Sequence, residues 1–460
     1  MSLRLTLRPG ATLTTTPDGL RLGGCAQAIV LPAVEPGVAS TLALLTVGGA
    51  TEQELSADVV ARAGTAGILP LHSALHRLRR AGALCHTASS NGAPLVTLVA
   101  QAADFRLRDD LVDHVRGYVL SRFAYIHRTG DGLVVESPLG SARAILHGPP
   151  AATLLASFAE PAKVPEDAAW VDAANLLCNA AVLVTADADG ERHDAPACAA
   201  DWWEFHDLLF HARTRHGRHS DPYGGTSHRK AACAPPPVVK APTPAPRIAL
   251  ARPDLEQLAR VDPPFSAVLE QRRSVRDYGE RAIGVDELGE FLYRALRVQR
   301  VLETPPGEMD LSLRPHPGGG AIHELEVYVV VGACAGLERG IYHYDAVAHD
   351  LEQVAPDGED VAGLLHDAWV TADRRSHPQI YLSFTARYQR MGWKYQSIVY
   401  SVILKNVGAV YQTMYLVATA MGLAPSALGG GHVERFALAA GLDPLEECPV
   451  GEFVLGTLAG

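Results

Sequence analysis

The chain has 460 residues, 48% of them hydrophobic and 20% charged, with a formal net charge of −11. That length exceeds one ordinary core and fits roughly two to four domains of about 100–200 residues, while the acidic balance argues against nucleic acid as a partner, because nucleic acid selects basic surfaces. No uncharged apolar run reaches the ~18 residues that cross a bilayer, and Met1-Ser2-Leu3-Arg4 opens no secretory signal, so no membrane association and a cytoplasmic location are expected.

Seven cysteines stand scattered, odd in number and without a close pair, which fits neither a zinc site nor a disulfide framework. Of the nineteen histidines, His206, His211, His216 and His219 are the most clustered. None of their spacings is the four-residue step of a helical zinc site, and no metal is expected.

In chain order, residues 1–103 read as a winged-helix-like module. Thr12-Leu13-Thr14, the turn Pro17-Asp18-Gly19 and Leu20 have the form of a hairpin. Helical segments are expected around Leu42 to Leu45, after Thr51-Glu52-Gln53-Glu54 with its capping-box form, and through Leu71, Leu75 and Leu78 beside Arg77, Arg79 and Arg80. Ser90-Asn91-Gly92 then turns the chain into Val96-Thr97-Leu98-Val99, the strand of a wing.

Residues 104–200 repeat the plan. Tyr125-Ile126-His127, the turn Thr129-Gly130-Asp131-Gly132 and Leu133-Val134-Val135 precede helical Leu154, Leu155 and Phe158. A helix over Val171 to Leu177, the strand Val182-Leu183-Val184 and the turn Asp187-Ala188-Asp189-Gly190 complete it. Winged helices commonly serve DNA, but the acidic balance favours another use here.

Residues 201–252 change in composition. A helical segment from Phe205 to Arg215 is expected to pack on the C-terminal domain. Ala234-Pro235-Pro236-Pro237 and Ala241-Pro242-Thr243-Pro244-Ala245-Pro246 read as a semi-rigid linker of polyproline type.

Residues 253–460 carry the chemistry. Arg272-Arg273-Ser274-Val275-Arg276 places three guanidinium groups and a hydroxyl in five residues, a set suited to gripping phosphate, although such a cluster is more often a solvated face or a structural ion-pair patch. Pro317-Gly318-Gly319-Gly320 leads into the β-branched run Leu325-Glu326-Val327-Tyr328-Val329-Val330-Val331. Such a loop lets backbone approach a flat ligand or a second subunit. Lys394-Tyr395 can tune each other's protonation, or can simply stand at a helix N-terminus, the lysine snorkelling and the tyrosine packing. Beyond the pair, Ile403, Val407, Val410, Met414, Val417 and Met421 form a narrow apolar seam. Leu404, Tyr411, Tyr415 and Leu416 on the other face make this a helix buried centrally or shared with a second subunit, ending at Gly422. Pro425-Ser426-Ala427-Leu428-Gly429-Gly430-Gly431 follows as a second loop able to present N–H groups to a ligand.

From about Asp254 onward, this order of segments resembles the FMN-dependent nitroreductase superfamily, and within it the SagB-type azoline dehydrogenases, which mature thiazole- and oxazole-containing peptides. Arg314-Pro315-His316-Pro317-Gly318-Gly319-Gly320-Ala321 is similar to that group's Arg-Pro-Tyr-Pro-Ser-Gly-Gly-Ala signature, with Gly318 where serine is usual. Trp203 to Arg213 and Gly217-Arg218-His219 are similar to the stretch these proteins carry before their linker.

The resemblance implies an α+β chain: a dimeric C-terminal domain with a central mixed sheet flanked by helices, preceded by two modules that serve or descend from leader-peptide recognition. It implies FMN, its phosphate held by Arg272, Arg273, Ser274 and Arg276. Backbone at Leu428, Gly429 and Gly430 would approach flavin N5, and Pro317, Gly318 and Gly319 would reach the flavin of the other protomer. Lys394 and Tyr395 match the family's catalytic pair. The implied partners are a precursor peptide and a cyclodehydratase (heterocyclase) that supplies the azoline. The C-terminal Leu455-Gly456-Thr457-Leu458-Ala459-Gly460 lacks the basic residue that often adds a phosphate contact, which, with Gly318, bears on flavin affinity. Two other readings share the residues: an NAD(P)H-fed nitro or quinone reductase, and a noncatalytic peptide-binding partner with a degenerate oxidase domain.

Overall fold

Thr51 starts its helix as its capping box demands: the Thr51 hydroxyl accepts the Glu54 N–H at 3.2 Å and the Glu54 carboxylate accepts the Thr51 N–H at 2.8 Å. The helix runs Glu52–Ala63 and is followed by Ile68–Arg80, which buries Leu71, Ala74, Leu75 and Leu78 along one stripe. These elements come from a computed structural model that describes residues 3–459 except 25–28, 33, 103–104, 187–196, 220 and 243; the turn expected at Asp187 to Gly190 lies outside the described residues. The chain divides into two units, Met1–Pro222 and Tyr223–Gly460.

In the N-terminal unit a seven-stranded antiparallel sheet runs in the order Ala50–Thr51, Arg4–Leu7, Leu84–Ser90, Ala93–Ala100, Ala142–Leu146, Gly132–Glu136, Tyr125–Thr129. Asn91 and Gly92, both with positive φ, make the tight turn between the third and fourth strands. Ala93–Ala100 pairs with Ala142–Leu146, Val96 opposite Leu146, so the wing of the first module and the strands of the second form one sheet. The helices Glu52–Ala63 and Ile68–Arg80 close a core around Leu5, Leu55 and Leu75, whereas Gly148–Ala156 and Ala168–Asn179 close another around Val96, Leu154, Phe158 and Leu176.

The helix Phe205–Arg213 belongs to this same unit, contrary to the expectation that it packs on the C-terminal domain. The reason is electrostatic. Glu136 is buried in the sheet and already accepts from Gln101 at 2.9 Å, and Arg213 supplies its counter-charge while donating to Tyr125 Oη at 2.6 Å.

The C-terminal unit is built on a second seven-stranded sheet, ordered Arg247–Ala249, Asp350–Pro356, Gly340–Asp345, Leu325–Val331, Ile380–Arg387, Glu447–Thr457, Leu423–Leu428. Its pairings are antiparallel. A parallel pairing joins Ile283–Gly284 to Cys334–Ala335 beside it, so the mixed character belongs to the unit's strands together. Val285–Leu296 and the long helix Val399–Ala420 cover one face, and Glu359–Thr371 with Val433–Ala439 cover the other.

Ile403, Val407, Val410 and Met414 form the buried seam of the long helix, and Gly422 at φ +67° follows its end. Val417 is only partly buried, while Tyr400 and Leu404 are 41% and 39% exposed.

The proline-rich stretch lies along this unit as a strap. Extended proline segments leave their carbonyls unpaired, and side chains of the unit take them up. Trp393 donates to Cys233 O at 3.0 Å, Arg390 to Pro236 O at 2.8 Å and Arg387 to Pro237 O at 2.7 Å. Lys240 pairs with Glu447 at 2.7 Å. Composition alone reads a spacer here; the contacts make a brace.

Candidate active site

Two groups of residues converge on the long helix Val399–Ala420, one toward each end. Toward the C-terminal end, Tyr415 organises the arginine–serine segment and the second glycine loop. Its hydroxyl shares a 2.7 Å hydrogen bond with Ser274 Oγ and accepts the Ala427 N–H at 2.7 Å. Arg272 stacks over the Tyr415 ring, its guanidinium carbon 5.2 Å from the ring centre. The Val275 N–H donates to Pro425 O at 2.8 Å. The segment after the helix Phe265–Gln271 is thereby sewn to the strand Leu423–Leu428, from which Gly429 and Gly430 emerge exposed. Arg273 is also exposed. Arg276 is set differently: its guanidinium faces Asp373 at 3.8 Å and its Nε is buried without a partner.

Toward the N-terminal end, Lys394 closes the short helix Tyr388–Lys394 and Tyr395 begins the extended pair Tyr395–Gln396. Lys394 Nζ lies 5.7 Å from the Tyr395 ring centre. The first glycine loop rests against the pair: Gly320 has φ +64°, and a Cβ there would come within 2.6 Å of Tyr395 Oη and 3.6 Å of Lys394 Nζ. Only glycine fits that conformation in that space. The strap holds the pair from the other side, through Gly225 opposite Tyr395, Gly224 opposite Gln396, and the Ser227 N–H donating to Lys394 O at 2.9 Å.

The loop is fixed from beneath by residues that sequence reasoning passed over. Asn406 Oδ1 accepts the Gly319 N–H at 3.0 Å while its amide nitrogen donates to both Glu324 oxygens at 2.9 and 3.1 Å. Burial raises the Glu324 pKa. Arg390, fully buried, donates to Ile322 O at 2.7 Å just after the loop as well as to the strap, and burial lowers it to about 10. The His323 ring lies where a Gly318 Cβ would be, 2.8 Å from Nδ1; burial holds this imidazole down at about 3 and His316 down at about 4. The available signal was an asparagine in an apolar helix and an acid just ahead of an apolar strand.

Arg272, Ser274 and the Ala427 to Gly430 segment are thus brought together, and separately Gly318 to Gly320 with Lys394 and Tyr395. Within one chain the two groups stand apart: Asn406 and Tyr415 are nine residues apart on the helix, about 13 Å at 1.5 Å per residue.

A flavin mononucleotide fits the donors present. The guanidinium groups of Arg272 and Arg273 make no ion pair among the described residues, which leaves two cations free for a phosphate. Gly429 and Gly430 have open space where a Cβ would stand, so their backbone is approachable by a flat ring. A cavity of about 560 Å³ elsewhere in the unit, beside Lys240, Tyr328 and Glu447, contains neither group.

Comparison with known proteins accords with this architecture. Residues 269–457 match the nitroreductase family, residues 118–220 the cyanobactin oxidase ThcOx, and residues 2–109 the ThcOx helix-turn-helix domain. The protein MJ1384 of Methanocaldococcus jannaschii, named for the nitroreductases, is 29% identical over 177 residues, 38% of this chain and 81% of that protein. The trifolitoxin-processing protein TfxB of Rhizobium leguminosarum bv. trifolii is 33% identical over 110 residues, 23% of this chain and 30% of TfxB. A chain of the E. coli microcin synthetase McbBCD complex, solved with truncated pro-MccB17 bound, superposes at TM-score 0.34 with 18% identity over 55% of this chain and 91% of its own.

The C-terminal unit is a nitroreductase-family domain. Ahead of it stand the segments that match the ThcOx helix-turn-helix domain and the cyanobactin oxidase ThcOx. Among the described residues no helix is long and apolar enough to cross a membrane.

Proposed function

We propose that the protein is an FMN-dependent oxidase that converts thiazoline or oxazoline rings of a ribosomally made peptide to thiazole or oxazole. The observation that carries the reading is Gly320 resting on Lys394 and Tyr395 in a unit that also offers two unpaired arginines beside an open glycine loop. The names of the similar proteins, an oxidase of cyanobactins and a processor of trifolitoxin, support a peptide as the substrate. In this reading the precursor peptide comes from a cyclodehydratase partner, the N-terminal unit meets the peptide or scaffolds the complex, and the enzyme works in the cytoplasm.

Bound FMN supplies the hydride acceptor, and dioxygen restores it. The chain does the rest. Arg272 and Arg273, with Ser274 and Arg276 beside them, hold the phosphate. Tyr395 Oη takes the proton from the ring carbon next to the one that loses hydride, with the Lys394 ammonium stabilising the phenolate; the reversed assignment uses the same two atoms. The strap and Gly320 fix the pair between them. A homodimer would bring the lysine–tyrosine end of one protomer to the arginine end of its partner. Exposed Tyr400 and Leu404 on the long helix, and Phe265 and Leu269 on the helix packed against it, support such an interface.

Mass spectrometry tests the reading directly. An azoline-bearing precursor incubated with the protein should lose two hydrogens per ring. The similarity to MJ1384 favours a second reading, a nitro or quinone reductase; rapid flavin reduction by NAD(P)H without peptide, and an unchanged peptide mass, would select it.

A further inference from the structure

Glu452 lies in the strand Glu447–Thr457 directly across from Leu428, the last residue before the glycine loop, and from Ser383 on its other side. It is 6% exposed. Its carboxylate makes no hydrogen bond or ion pair among the described residues, and the Ser383 side chain, on the same side of the sheet, is buried. The loop passes over it: a Cβ at Gly431 would come within 2.7 Å of Glu452 Oε1. A buried acid without a partner costs free energy whenever it is charged, yet here one stands under the segment whose backbone is open to a ligand.

Its surroundings leave it poised. Tyr381 in the sheet and Tyr400 and Tyr411 on the long helix feel its charge, and the Glu452 N–H donates to Tyr411 Oη; burial first, with the Glu452 charge among the further causes, raises all three phenols. From the helix Val433–Ala439, Arg435 is engaged by Asp367 at 3.0 Å, and His432 beside the loop lies 3.7 Å from Glu434. Among the described residues no cation pairs with the acid. Burial alone lifts it to about 7, so a modest change of nearby charge moves it between its two forms.

We propose that Glu452 takes up a proton when negative charge arrives over the loop 429–431 and returns it when that charge leaves. This rests on the reading that the loop faces the flavin ring. Oxidation of one azoline delivers a hydride to the ring and a proton to the Lys394–Tyr395 pair. The added negative charge draws one proton from water onto the Glu452 carboxylate. Dioxygen then accepts the hydride and the Glu452 proton to give hydrogen peroxide, and the Lys394–Tyr395 pair gives its own proton to the hydroxide left in water, which restores the carboxylate and the base and balances the cycle. Glu452 acts across the loop as a proton store.

The test uses the full-length, FMN-loaded protein and dithionite as reductant. The flavin reduction potential is measured for wild type and Glu452→Gln at about pH 5.5 and about pH 8, on either side of the titration. The expected result is a potential shifted positive in E452Q at the higher pH and coincident potentials at the lower. A difference equal at both pH values, or none at either, overturns the proposal. Wild type alone gives a second measurement: its reduced-minus-oxidised infrared spectrum at about pH 8 should gain the carbonyl band of a protonated carboxylic acid, and a spectrum without that band overturns the proposal even if the variant fails to fold. Wild-type protein that retains no flavin sinks the functional reading first and this inference with it, whereas bound flavin whose difference in potential between wild type and E452Q does not change with pH sinks this inference alone.

Discussion

Ser274 Oγ and Tyr415 Oη share a 2.7 Å hydrogen bond, and the same phenol oxygen receives the Ala427 N–H. One hydroxyl thus ties the phosphate-side segment to the strand feeding the glycine loop. In Tyr415→Phe the ring remains for Arg272 to stack on, but both bonds vanish. Stability should fall by about 1–3 kcal/mol, the usual cost of stranding such groups, and FMN affinity by about tenfold, equivalent to ~1.4 kcal/mol. Urea unfolding and flavin titration check the two.

Gly320 is confined by Tyr395. A methyl group there meets both a left-handed backbone and a phenol oxygen 2.6 Å away. Gly320→Ala should therefore displace Tyr395 and reduce ring oxidation at least tenfold, with flavin absorbance retained because the arginine segment is untouched. Loss of flavin with intact folding would contradict the separation of the two groups along the helix.

Lys394→Ala removes the cation beside Tyr395 and leaves every described contact of Arg272, Ser274 and Tyr415 in place. The protein should purify yellow and leave azoline rings unoxidised, as read by peptide mass. Full turnover would remove the pair from the mechanism.

His343 stands between Glu326 and Glu352 at 3.2 Å from each. Burial opposes its charge, but hydrogen bonding and the negative charge of Glu326 outweigh it and raise the imidazole above 6.5. Burial likewise pushes Glu326 up, and His343 with Arg314 and Arg387 pull it down to about 2. The His343 contribution is fully present below pH 6.5 and fades as pH rises through the raised value, whereas that of Glu326 is present above 4.5 and fades as pH falls toward 2. The stability advantage of wild type over His343→Leu should therefore be greater at about pH 5.5 than at about pH 8.5, in urea unfolding at each pH.

Local rules made much of this legible in the sequence. The capping box at Thr51, the apolar seam from Ile403 to Met414 and the stop at Gly422 depend on neighbours a few residues away, and each is found. The glycine loops could be seen as loops. What they rest on could not, because Asn406 and Glu324, or Tyr415 and Ser274, meet only when distant segments pack. The helix Phe205–Arg213 was misplaced for the same cause: its partner Glu136 is fixed by a sheet pairing that periodicity does not reveal. Proline content describes how a segment extends, and is silent on whether an arginine waits for its carbonyls.

The strap bears on how this protein can be dissected. The family match begins at residue 269, yet Cys233, Pro236 and Pro237 carry carbonyls that Trp393, Arg390 and Arg387 use, and Ser227 grips the backbone of Lys394. A recombinant fragment cut to the homology boundary would strip acceptors from two arginines and an indole around Lys394. The smallest autonomous nitroreductase-family unit should begin near Tyr223, some forty-six residues ahead of where homology would place the scissors.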